Sequence, residues 1–100
     1  MKNGYKILWT ENALEELENT IDYLQKNFSE KEIKKLATAV EKMIATIAHN
    51  PYTFSQTYFK ESVRKVVVTR YNTLYYQIKN DNVEILSFFS NRQSPDKVKL

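Results

Sequence analysis

Pro51 separates two kinds of sequence. Before it, apolar residues recur at helical spacing. After it, β-branched and aromatic residues come in short runs. A 100-residue chain that makes this switch once has room for one modest core. The expectation is a single domain over 1–100, helices first and strands last.

Tyr5-Lys6-Ile7-Leu8-Trp9 reads as a short opening strand. Thr10 is a fair N-cap, and Glu11 stands at the positive end of the helix that follows. Leu14, Leu17, Ile21, Leu24 and Phe28 form an apolar stripe over 11–26, with Glu11, Glu15, Glu18, Asp22 and Gln25 opposite. At that spacing the acids read as a solvated face and not as paired catalytic carboxylates. Asn27 is expected to end this helix in the left-handed conformation. Ser29 and Glu32 spell a capping box, and Phe28 with Ile33 a hydrophobic staple. A second stripe runs through Ile33, Leu36, Ala37, Val40, Ile44, Ile47 and Ala48, with Met43 beside it. It stops at His49-Asn50-Pro51, because proline cannot continue a helix. So short a link between helices predicts an antiparallel helical hairpin.

In the second half, residues 63–69, 73–79 and 83–89 read as strands. Asn80-Asp81 is a tight-turn signal, which would set Ile78 against Val83, Tyr76 against Ile85 and Leu74 against Ser87. The turn at Arg70-Tyr71-Asn72 leaves its register open. Pro95 bars a regular strand in the polar, basic tail. The fold class that follows is α+β, an antiparallel sheet with an N-terminal helical hairpin on one face, order β-α-α-β-β-β. The first strand joins the sheet, since alone its backbone groups would go unpaired.

Charge is placed unevenly. Residues 1–50 carry seven lysines against eight acids, a net of −1; residues 51–100 carry five lysines and three arginines against four acids, a net of +4. All three arginines, Arg64, Arg70 and Arg92, lie in the second half. A polyanion contacting that half is one reading, a mildly basic solvated surface the other. Tyr71, Tyr75, Phe88 and Phe89 are candidate stacking residues; all but Tyr71, which falls in a turn, read better as sheet packing.

Several chemistries are excluded. One glycine cannot build a phosphate loop. One histidine and no cysteine leave no metal-ligand spacing, no disulfide framework and no cofactor signature. His49, at a helix C-terminus, reads as a capping cation. No apolar run approaches a membrane span or a signal-peptide core, so a cytoplasmic location without membrane attachment is expected.

The order of these pieces resembles the RelE/ParE toxin superfamily of bacterial type II toxin–antitoxin modules. Ile7-Leu8-Trp9-Thr10-Glu11-Asn12-Ala13 is similar to its opening strand and helix, and His49-Asn50-Pro51 to its helix end. Val63-Arg64-Lys65-Val66-Val67-Val68 is similar to its central strand. Tyr75-Tyr76-Gln77-Ile78 with Val83-Glu84-Ile85-Leu86 resembles its closing hairpin, followed by an arginine at Arg92. The resemblance implies a plasmid-stabilising or growth-inhibiting toxin neutralised by a cognate antitoxin, which alone would contact operator DNA. RelE-like members cut mRNA on the ribosome; ParE-like members act on DNA gyrase and do no chemistry. Near Asn72-Thr73 and near Val98 this chain lacks the arginine and the tyrosine of the ribonuclease pattern, which points toward the ParE-like branch. The candidate target-binding set is the basic sheet residues Arg64, Lys65, Arg70 and Arg92, with Tyr71 in its turn and Asn91; of these, Arg92 is the one the resemblance itself implies. If the chain were a ribonuclease, Arg92, Lys65 and His49 would be its candidate catalytic residues. A third possibility is a degenerate member that only binds its antitoxin and acts as co-repressor.

Overall fold

The structure, a computed structural model, describes residues 4–58, 60, 62–92, 97, 98 and 100. Pro95 lies outside them. The chain runs β1 (Lys6–Trp9), α1 (Glu11–Asn27), α2 (Glu30–His49), a 3-10 turn (Pro51–Thr53), β2 (Val63–Thr69), β3 (Asn72–Lys79) and β4 (Asn82–Ser90). This is the expected order, an α+β fold in two layers.

The strands form one sheet in the order β1-β4-β3-β2. β2, β3 and β4 are antiparallel neighbours, but β1 pairs with β4 in parallel, Lys6 to Asn82 through Trp9 to Ile85. The sheet is therefore mixed, not purely antiparallel. The helical hairpin and β2–β3 intervene between β1 and β4, so no tight turn forces these two into opposite directions.

The Asn80-Asp81 turn forms as expected, with Asn80 at φ 55°. It aligns Ile78 with Val83 and Tyr76 with Ile85. The next expected pair is wrong. Leu86 is an extra residue in β4, so Tyr75 faces Ser87 and Leu74 faces Phe88. The bulge keeps Leu74 and Phe88 together in the core under the helices.

That core joins Ala13, Leu36 and Ile47 to Val66, Leu74, Tyr76, Val83, Ile85 and Phe88. The far face has a smaller cluster of Val63, Tyr75 and Phe89, covered by Leu86, Val98 and Leu100. Tyr75, Phe88 and Phe89 thus pack, and Tyr71 is exposed. The predicted helix stripes are too wide: Leu14, Phe28 and Ala37 face solvent.

Helix ends obey the cap rules unevenly. Thr10 accepts a bond from the Ala13 N–H, as an N-cap should. Asn27 is still helical, and α1 ends instead at extended Phe28 (φ −140°). With an extended residue there, the chain turns without a left-handed one. Ser29 does sit at the N-cap of α2, but its hydroxyl makes no capping bond; the Glu32 N–H reaches the Ser29 carbonyl. Phe28 lies beside Tyr23, ring centroids 6.0 Å apart. The sole glycine, Gly4, passes so close to the end of α2 that a Cβ would lie 3.0 Å from the Ala48 carbonyl.

Candidate functional site

The β2–β3 turn and the end of β4 meet at one edge of the sheet, and Asn91 ties them together. Its backbone N–H donates to the Tyr71 carbonyl (2.7 Å), its amide to the Arg70 carbonyl (3.4 Å), and its side-chain oxygen accepts from the Thr73 hydroxyl (2.8 Å). Beneath this strut Asn72 and Thr73 are buried. Buried polar groups held by hydrogen bonds make a stiff platform. Arg70 and Arg92 project from it.

Arg92 lies with its guanidinium 3.7 Å from the centroid of the Tyr23 ring on α1. Its Nε donates to the Ser90 hydroxyl at 3.2 Å. Arg70 sits over Tyr71 at 5.4 Å. Stacking on an aromatic face fixes a guanidinium while leaving its fork of donors available to a carboxylate or phosphate. Between these residues and the α1–α2 link runs a groove of about 260 Å³. Leu24, Phe28 and Leu36 give it an apolar floor; Glu32, Lys35, Arg70 and Arg92 give it a charged rim. Lys35 and Glu32 pair at 3.9 Å.

The candidate target-binding residues therefore divide. Arg70, Tyr71, Asn91 and Arg92 come together. Arg64 lies near the start of β2, at the opposite end of the sheet. There it donates to the Phe54 carbonyl and lies over Tyr52 at 5.2 Å. Lys65 pairs with Tyr75 in the sheet register and is exposed. His49 closes α2, 13 residues beyond Leu36 of the groove, which is roughly 20 Å along a helix. Arg92, Lys65 and His49, the set a ribonuclease reading needs, do not share one site.

A second arrangement was not foreseen. β1 covers β4 only as far as Ile85, and beyond that point the N-terminal turns of α1 take over the edge. The Thr10 N–H and hydroxyl donate to the Ile85 carbonyl, and the Asn12 amide to the Leu86 carbonyl. One oxygen of Glu16 accepts from the Ser87 hydroxyl (2.7 Å) and the Phe88 N–H (3.0 Å). Glu16 is thus the acid of α1 that turns inward. Its omission from the row Glu11, Glu15, Glu18, Asp22 was the available signal. Tyr23, between the apolar and acidic faces of α1, was equally legible as a boundary aromatic.

At the Arg64 end, the Tyr76 hydroxyl donates to the Pro51 carbonyl (2.6 Å). Burial pushes that phenol up to about 12, partly opposed by Arg64. Burial, and to a lesser degree Tyr58, also raises Tyr75. The hydrogen bond from Gln77 and the nearby Lys79 hold Glu84 below the usual carboxylate range. Among the described residues, no three His, Cys, Asp or Glu side chains gather to hold a metal ion, and no helix is long and apolar enough to cross a membrane.

The family model described as the ParE toxin of type II toxin–antitoxin systems matches residues 7–95. No curated protein matches significantly. Among solved structures, a chain of the chromosomal ParDE system from P. aeruginosa is similar with a TM-score of 0.74 at 13% identity, covering 89% of this chain and 98% of that one. The YoeB/ParE toxin from Agrobacterium tumefaciens is similar at 0.64 and 10% identity, with 86% and 98% covered. YoeB from Staphylococcus aureus, solved as a dimer, follows at 0.58 and 15%, with 84% and 93% covered. At such identities these likenesses describe the fold. The sequence match over nearly the whole chain goes further: this protein belongs to the ParE toxin family, within the RelE/ParE superfamily of type II toxins.

Proposed function

We propose that the chain inhibits growth as a ParE-like toxin, binding DNA gyrase without chemistry of its own, and that a cognate antitoxin neutralises it. The observation that carries this reading is the separation of Arg92 from Lys65 and His49. RNA cleavage through the 2′-hydroxyl needs a base, an acid and a charge stabiliser around one phosphate. Lys65 aligns through Tyr75 with Ser87, two strands and roughly 10 Å across the sheet, and β4 runs roughly another 10 Å from Ser87 to its end at Ser90 before Arg92 follows. His49 lies farther still along α2. The arginine groove is instead suited to recognition: stacked guanidinium groups, an apolar floor and a stiff support. The antitoxin is a small protein whose C-terminal segment folds on contact, giving a large buried area despite the ordering cost.

The test is induced expression, followed by separate assays of gyrase supercoiling and of translation-dependent mRNA cleavage. Loss of supercoiling with intact mRNA is the expected result. Cleaved mRNA with normal supercoiling would establish the ribonuclease branch. Neither effect, with normal growth, would leave the co-repressor. Co-purification with the antitoxin from the same operon at micromolar concentration is the companion expectation.

A further inference from the structure

The outward face of α2 has a feature that the groove does not use. Lys31, Lys34, Lys35 and Lys42 are all exposed. On a helix of 3.6 residues per turn they fall within a sector about 100° wide. That sector lies opposite Leu36, Val40 and Ile47, which pack into the core. Glu30, Glu32 and Glu41 fall outside it. With Thr38 and Ala39, the four lysines line a shallow hollow of about 490 Å³. The row is continuous with the groove, because Lys35 lines both. Among the described residues, Lys35 alone of these lysines has a carboxylate within 4 Å, that of Glu32.

We propose that this lysine row is a contact surface for the phosphate backbone of duplex DNA. It rests on the gyrase reading, which supplies the DNA: the target is then an enzyme that holds duplex, and the row adjoins the Arg70–Arg92 groove through Lys35. From Lys31 to Lys42 the row is about 16 Å long, the axial span of about five phosphates of one strand. Cations repeated along a straight, rigid line match a linear polyanion. A membrane surface would ask for large exposed apolar side chains among the lysines, and this face offers only the small Thr38, Ala39 and Ala45. Lysine is a point charge without a fork, so the contact reads backbone and not sequence. This differs from operator recognition, which belongs to the antitoxin.

The experiment is fluorescence anisotropy of the 100-residue chain with a labelled 20-base-pair duplex, across a sodium chloride series. Four neutralised phosphates predict about a 100-fold loss of affinity between 50 and 200 mM salt. The triple variant Lys31→Gln, Lys34→Gln, Lys42→Gln keeps one contact and should lose only about fourfold over the same range. These residues are exposed and outside the core, so its thermal melt should match wild type. An unchanged salt slope in the triple variant overturns the proposal, as does no binding of duplex at 50 mM. So does tighter binding of a single-stranded RNA of equal charge. Supercoiling assays with purified gyrase keep the two readings apart. A toxin that inhibits gyrase but binds no duplex sinks this inference alone. One that shows the predicted duplex binding and salt slopes but leaves gyrase active supports the row and sinks the gyrase reading.

Discussion

Both ends of the sheet set an arginine against a tyrosine, and the two arrangements do opposite work. At the start of β2, Arg64 lies over Tyr52 and donates to the Phe54 carbonyl. Beside it the Tyr76 hydroxyl is buried against the Pro51 carbonyl. Both contacts bind the segment after α2 to the sheet. At the other end Arg92 lies over Tyr23, but its hydrogen bonds go to the neighbouring Ser90 hydroxyl, and it is exposed. The first arginine holds the fold closed. The second is held by the fold and faces outward. What separates them is the acceptor each finds: a backbone carbonyl of another segment, or a serine two residues away.

The sharpest way to break this contrast is Arg92→Ala. It should abolish growth inhibition after induction while leaving the thermal melt and antitoxin binding intact, since exposed substitutions usually shift stability by less than ~0.5 kcal/mol. A stable Arg92→Ala protein that remains fully toxic would end the assignment. Glu16→Ala probes the seam under the Arg92 end. It strips the acceptor from the Phe88 N–H and the Ser87 hydroxyl, and should cost about 1–3 kcal/mol, read as a lower denaturant midpoint at unchanged slope.

Arg64→Ala is the counterpart of the first variant. A cost of about 1–2 kcal/mol is expected from the lost charged hydrogen bond and packing, with toxicity retained in the folded fraction. Equal stability with lost toxicity would reverse the roles of the two ends. Tyr76→Phe tests the same end by pH. The phenol's pKa is higher in the folded chain, about 12, than in the unfolded one, near 10. The folded state therefore keeps a proton that the unfolded state releases. That contribution is complete below about pH 10 and fades as pH rises through 12. Wild type should thus lose stability between pH 10 and 12 more steeply than Tyr76→Phe. The smallest effect is expected of Ser29→Ala. Its hydroxyl makes no capping bond, so the midpoint should move by less than ~0.5 kcal/mol, where a true capping box would cost about 1.

The charge balance of the two halves points to residues 51–100 and not to α2. Over residues 1–50 the acids of α1 offset the lysines of α2, although the two sets occupy different surfaces. A net charge sums over sequence, whereas a polyanion meets a face. The same limit applies to Arg64, Lys65 and His49. Their types suit a phosphate site, but type says nothing of distance.

The sequence by itself determined the element order, the strand boundaries to within a residue, the Asn80-Asp81 turn and the family. These depend on local periodicity, on turn chemistry and on the order of motifs, all of which are written along the chain. Tertiary structure alone decided the rest. β1 lies parallel to β4 because long-range pairing is not constrained by its neighbours in sequence. Leu86 bulges because Leu74 and Phe88 must share the core, and Glu16 turns inward because β1 runs out at Ile85 and leaves donors on β4 to satisfy. Arg92 finds Tyr23 69 positions earlier in the chain only once α1 has packed on β4. Each depends on contacts between distant residues, which no local pattern encodes.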